Sequence, residues 1–150
     1  MIAVDTNILL LYVVGRTRVS LIESHKRLDA YRAEDFGLLV EEIGDQTILL
    51  TPNTLSEVSN LLVPGVREPL RSALRAELGS LIATGSEVYV PSEKVASDPF
   101  FHELGLADCA LLEACSDGSI LLTVDIKLFL AAGRRGLHAT NFNHVREATF

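Results

Sequence analysis

Short apolar runs alternate with amphipathic periods from one end of this chain to the other, and few folds accept that order. Segments 2–4, 47–51, 87–90, 119–124 and 138–141 read as strands, and 8–14, 19–32, 53–62, 68–83, 106–115 and 126–132 as helices. Pro52 and Pro69 fall at helix starts, where proline is tolerated because the first amides have no intrahelical partner. Strands that are apolar throughout, each followed by a helix, predict a parallel sheet covered on both faces. The expected fold is therefore α/β: a three-layer sandwich around a mostly parallel sheet of about five strands flanked by helices. No repeat, low-complexity tract or linker composition divides the chain, so residues 1–150 are expected to form one domain. At that length folding buries about 70% of the extended surface.

Composition removes several classes. Apolar residues make up 48% and charged residues 22%, too hydrophobic a balance for a disordered chain. No stretch approaches the roughly 20 apolar residues that cross a bilayer, and the N-terminus lacks the basic start and small-residue cleavage pattern of a signal peptide. Cys109 and Cys115 lie six residues apart on an expected helix, roughly 9 Å along its axis and too far to bridge. They read as reduced core thiols of a cytoplasmic protein. The net charge of −7 argues against a polyanionic partner, but 126–146 holds Lys127, Arg134, Arg135 and Arg146 with no acid. Such a stretch can hold a phosphate backbone, although taken by itself it is better explained as a solvated helix end.

Four acids stand where acids are awkward. Asp5 ends the apolar run Ile2-Ala3-Val4, and Asp125 ends 120–124; each precedes a helix, where a capping role alone would account for it. Asp108 is harder to explain that way. Its i+3, i+4 and i+7 neighbours are Leu111, Leu112 and Cys115, which places the carboxylate on the stripe that should turn inward. A first-turn acid gains roughly 0.3–1 kcal/mol from the helix dipole, less than the cost of burying it without a partner. Glu57 flanks the apolar stripe of Leu55, Val58, Leu61 and Leu62 and shares its side with Asn53 and Asn60.

Sites in open parallel sheets gather at the carboxyl ends of the strands, which is where Asp5 and Asp125 are expected. If two helices bring Glu57 and Asp108 to the same place, each pair about 4 Å apart costs roughly 4 kcal/mol at an effective dielectric of 20. No basic residue adjoins any of the four. A hard divalent cation, Mg²⁺ or Mn²⁺, would offset the repulsion, whereas the scattered His and isolated Cys give zinc no ligand set. Such an ion with open water positions suits phosphodiester hydrolysis, with one carboxylate as general base. Nucleophile motifs and phosphate-binding glycine loops are absent.

Read in order, strand-"VDTN"-helix, "TPNTLSE", "LGLADCALLEAC", "LLTVD" and "HATNF" resemble the PIN domain, a metal-dependent ribonuclease fold found in the toxin halves of many prokaryotic toxin–antitoxin pairs. The resemblance covers essentially the whole chain. It implies an endoribonuclease whose metal ligands are Asp5, Glu57, Asp108 and Asp125. Thr6 and Asn7 would orient the first acid and Thr123 would support the last. RNA is the implied substrate, with a cognate antitoxin and a homodimer as implied partners.

Two departures accompany the likeness. Many members carry a second acid or an amide behind the final acid, whereas Ile126-Lys127 follows here; that lysine would bind the scissile phosphate or weaken a second metal site. One ion is expected and a second is left open. Region 16–46 is long for a compact toxin and contains "VSLIESHKRLDAYRAEDFGLLVEEIG", readable as a partner-binding helical stretch or as a surface helical hairpin. Lys127, Arg134 and Arg135 are the expected RNA-backbone contacts, with Arg16 and Arg18 as further candidates. Rival readings are weaker. A haloacid-dehalogenase-type phosphatase wants an Asp where Asn7 stands, a receiver domain wants paired acids where "VDTN" offers one, and a non-catalytic RNA- or protein-binding module would not need all four acids.

Overall fold

A computed structural model describes residues 1–149. Strands β1 (Ile2–Val4), β2 (Ile48–Leu50), β3 (Ser86–Glu87), β4 (Ile120–Thr123) and β5 (Ala139–Asn141) form one sheet in the order β3-β2-β1-β4-β5. Every pairing is parallel, with Ile2 in register with both Ile48 and Ile120. The sheet is thus wholly parallel, and β1, at its centre, is buried along its length.

Alternation within the strands separates two cores. Ile2, Val4, Ile48, Leu50 and Leu122 point to one face, where they meet α1 (Thr6–Thr17), α2 (Ala33–Ile43), α3 (Pro52–Leu62) and α4 (Leu70–Thr84). Ala3, Leu49 and Leu121 point to the other, beneath α5 (Ser92–Ala96), α6 (Phe101–Leu104), α7 (Leu106–Ala114) and α8 (Ile126–Arg134). Helix α9 (Phe142–Thr149) closes the chain with Phe142 fully buried on the first side. The result is a three-layer sandwich. Cys109 and Cys115 are both free and buried, and burial pushes their thiols up to about 11 and about 12. Among the described residues no helix is long and apolar enough to cross a membrane.

The structure departs from the sequence reading at identifiable places. The helix expected over 19–32 is instead two short 3₁₀ segments, Val19–Ser24 and Lys26–Leu28, broken at His25 in an extended conformation. The buried His25 ring explains the break: its Nε2 lies 2.9 Å from the Leu62 carbonyl, and its Nδ1 accepts from the Arg27 amide. That pattern fixes the neutral Nε2–H tautomer and holds the segment against the end of α3. The 16–46 region is therefore not a helical hairpin. Only its acidic second half is an α-helix, α2, packed on α1 where the Gly15 backbone meets the Phe36 ring. The strand expected over 87–90 pairs only at Ser86–Glu87. Helix α9 begins where the sequence reading stopped, with the Asn141 side chain accepting from the Asn143 amide.

Candidate active site

The four acids converge at the carboxyl edge of the sheet. Asp5 ends β1 and caps α1: its Oδ1 accepts from the Ile8 amide at 3.1 Å. Its Oδ2 accepts from the Val124 amide at 3.0 Å and from the Thr123 hydroxyl. Asp125 follows β4 and caps α8, its Oδ1 accepting from the amides of Lys127 at 2.8 Å and Leu128 at 3.2 Å. The Thr123 oxygen also accepts from the Asp125 amide at 3.0 Å, so one buried hydroxyl ties the ends of the two central strands together. Both acids satisfy the capping role the sequence allowed; Asp5 Oδ1 keeps one lone pair for a further partner and Asp125 Oδ2 keeps both.

Asp108 enters from the first turn of α7. Its pKa is pushed up to about 7, first by burial and then by the charges of Asp125, Asp5 and Glu57. Among the described residues its carboxyl accepts no hydrogen bond and pairs with no cation. Burial raises Asp5 as well, against the donors that favour its ionised form. Glu57 is exposed on α3, and the Thr6 hydroxyl donates to its Oε2 at 2.7 Å. Thr6 therefore positions Glu57, not Asp5. Asn7 is exposed and makes no side-chain hydrogen bond among the described residues; Asp5 is oriented by Thr123 and two backbone amides instead. Beside Glu57, a cleft of about 310 Å³ opens between α3 and α7, lined by Asn53, Ser56, Leu106 and Ala107.

The donor set fits a hard divalent cation in its chemistry: four carboxylates, no thiolate or imidazole, and one carboxyl that feels the charge of the other three and has no partner among the described residues. Among the described residues, no three His, Cys, Asp or Glu side chains already stand in a ligating group. Glu57 is drawn aside by Thr6, and Asp5 and Asp125 are occupied as caps.

The cations divide. Lys127 stands next to Asp125 with its side chain exposed and unpaired among the described residues. Arg134 and Arg135 lie at the other end of α8, about 13 Å from its start. Arg135 is bound to Asp98 at 2.7 Å and to Glu113 at 3.1 Å, so it is not a free phosphate contact. Arg146 is paired with Asp35 at 2.9 Å, which leaves two free cations of the four in 126–146. Arg16 pairs with Glu77 at 3.1 Å, and Arg18 is exposed.

Sequence reasoning missed Tyr31. It is buried, and its hydroxyl is pushed up to about 12 by burial and by the charge of Asp5. Arg146 lies 4.8 Å above its ring. A larger cavity of about 820 Å³ opens beyond, where Arg32 and Arg146 face Glu34, Asp35 and Glu147; acids outnumber bases there, which makes it a poor place for phosphate.

No protein-family model, curated protein or solved structure matches this chain, so the likeness to PIN domains rests on its motifs.

Proposed function

We propose that the protein is a Mg²⁺- or Mn²⁺-dependent endoribonuclease of the PIN type. The observation that carries this reading is the half-buried Asp108 carboxyl, which has no hydrogen-bond donor or cation among the described residues and is raised by burial and by the charges of Asp125, Asp5 and Glu57. Repulsion of that kind persists in a fold when something positive is bound in use, and a carboxylate-only donor set selects a hard metal ion. Asp5, Asp108 and Asp125 would hold it, and Glu57 would either complete the set or position the attacking water. Bound there, the ion would supply a water of lowered pKa and charge stabilisation at the phosphoryl oxygens.

The chain's own groups account for the remainder. Thr123 and the Ile8 and Val124 amides fix Asp5 in direction and favour its ionised form against the burial that raises it. Glu57, exposed and tethered only by Thr6, is the carboxylate free to swing to the attacking water and take its proton at Oε1. The Lys127 ammonium, at the start of α8, would meet the scissile phosphate together with the positive end of that helix. By the same resemblance the protein would be the toxin of a pair, with a cognate antitoxin as its partner.

The test is cleavage of a mixed RNA pool by purified protein with Mn²⁺ or Mg²⁺, beside lanes containing EDTA and the Asp5→Asn variant. Cleavage that requires metal and disappears in the variant supports the proposal. Cleavage that survives both, or no cleavage under either metal, refutes it.

A further inference from the structure

The acidic pocket needs a surface that holds a polyanion, and the cationic tail was the sequence's candidate for it. The structure offers a better one at the far end of α3. The turn that follows α3 is flanked by cations from two separate parts of the chain. Arg71 donates from Nη1 to the Val63 carbonyl at 3.4 Å. From the other side, Lys26 reaches Gly65, where a Cβ would sit 3.7 Å from the lysine Cε and 3.9 Å from its Nζ. Arg67 lies two residues on, and the Arg71 amide donates to its carbonyl at 3.1 Å, which holds the two together across the turn before α4. Within α4, Arg71 and Arg75 are spaced i, i+4 on one face, about 6 Å apart along the axis.

None of Lys26, Arg67, Arg71 or Arg75 has an acidic partner among the described residues. Glu68, the one acid between positions 63 and 76, accepts from the Ser72 amide and hydroxyl and lies within the field of Arg71 and Arg75. In a chain of net charge −7, four cations against that one carboxylate make a local surplus of positive charge.

Position makes the cluster relevant. Glu57 and Val63 are six residues apart on α3, about 9 Å along its axis. The face between them is exposed and polar, carrying Ser56, Ser59 and Asn60. We propose that single-stranded RNA leaves the acidic pocket along this face of α3 and that Lys26, Arg67, Arg71 and Arg75 hold its phosphates beyond the cleavage point. Charge supplies the attraction and the polar strip leaves base identity unread, as in grooves that track a backbone. This rests on the nuclease reading and adds the place and the kind of strand it takes.

The experiment is fluorescence anisotropy of a labelled single-stranded RNA with the full chain in EDTA, where binding is read without cleavage. Wild type is compared with Arg67→Gln/Arg71→Gln and with Arg32→Gln, an exposed cation in the acid-lined cavity; thermal melts confirm that each is folded. The double variant should bind about tenfold more weakly, with a salt dependence flatter by roughly 1.4 in log–log slope, and Arg32→Gln should match wild type. Lys26→Gln should weaken binding in the same direction. Equal binding by wild type and the double variant overturns the inference, as does an equal loss from Arg32→Gln. Failure of wild type to bind RNA at all overturns this inference and the nuclease reading together. Binding lost in the double variant of a protein that does not cut RNA overturns only the nuclease reading.

Discussion

Replacing Asp108 by Asn should stabilise the metal-free protein at alkaline pH and do little in acid. The carboxyl is raised from 3.8 to about 7, and its folded-state pKa therefore lies above its value in the unfolded chain. Ionising it favours unfolding. No penalty exists well below the unfolded value; it grows between about pH 4 and pH 7 and is constant above. At about 1.36 kcal/mol per pH unit the displacement is worth about 4 kcal/mol, and solvent contact of the half-buried group halves that to about 2 kcal/mol. Urea denaturation in EDTA at pH 8 should show Asp108→Asn more stable by about 2 kcal/mol, with most of the difference gone at pH 4.5. Adding Mn²⁺ at pH 8 should shrink or reverse the gap, because only the carboxylate gains from a cation. A variant less stable than wild type at pH 8, or a difference independent of pH, would show that the four acids do not press on one another.

Three further outcomes follow from the packing. Thr123→Val removes a buried donor from Asp5 and an acceptor from the Asp125 amide, and should cost about 1–3 kcal/mol in denaturant unfolding with metal-free protein. Asp35→Asn breaks the ion pair that ties α2 to Arg146 and should cost about 2–4 kcal/mol, visible as a lowered Tm, because the partly buried arginine loses its charge partner. Gly15→Ala would place a Cβ 2.2 Å from the Phe36 ring, an overpacking cost of about 1–3 kcal/mol against a helix-propensity gain of about 1 kcal/mol. The Phe36→Ala background should turn that substitution from neutral or destabilising to stabilising, read from a double-mutant cycle of melts.

What was legible in the chain, and what was not, follows from the range of the interactions involved. Asp5 and Asp125 could be placed because strand end and helix cap are both local signals, and the structure puts each at both. Asp108 could be placed because its apolar neighbours lie one and two turns away on the same helix. The rest depended on contacts between distant residues. His25 breaks a plausible helix only because the Leu62 carbonyl, 37 residues on, is there to receive it. Asn7 follows Asp5 in sequence yet faces solvent, while Thr123, 118 residues away, holds the carboxylate. The cations of 126–146 looked like one basic stretch; Asp98, Glu113 and Asp35 take two of them out of play. The i, i+4 spacing of Arg67, Arg71 and Arg75 was open to view from the start, but Lys26 joins them only through the fold.

The central claim is that the convergent carboxylates form a divalent-cation site. Calorimetric titration of Mn²⁺ into the metal-free protein at pH 8 tests it most directly, with the Asp5→Asn/Asp125→Asn variant as the comparison. The account predicts a saturable binding heat in wild type that the double variant loses while remaining folded. Absence of saturable binding in wild type, or equal binding by the folded variant, would contradict it.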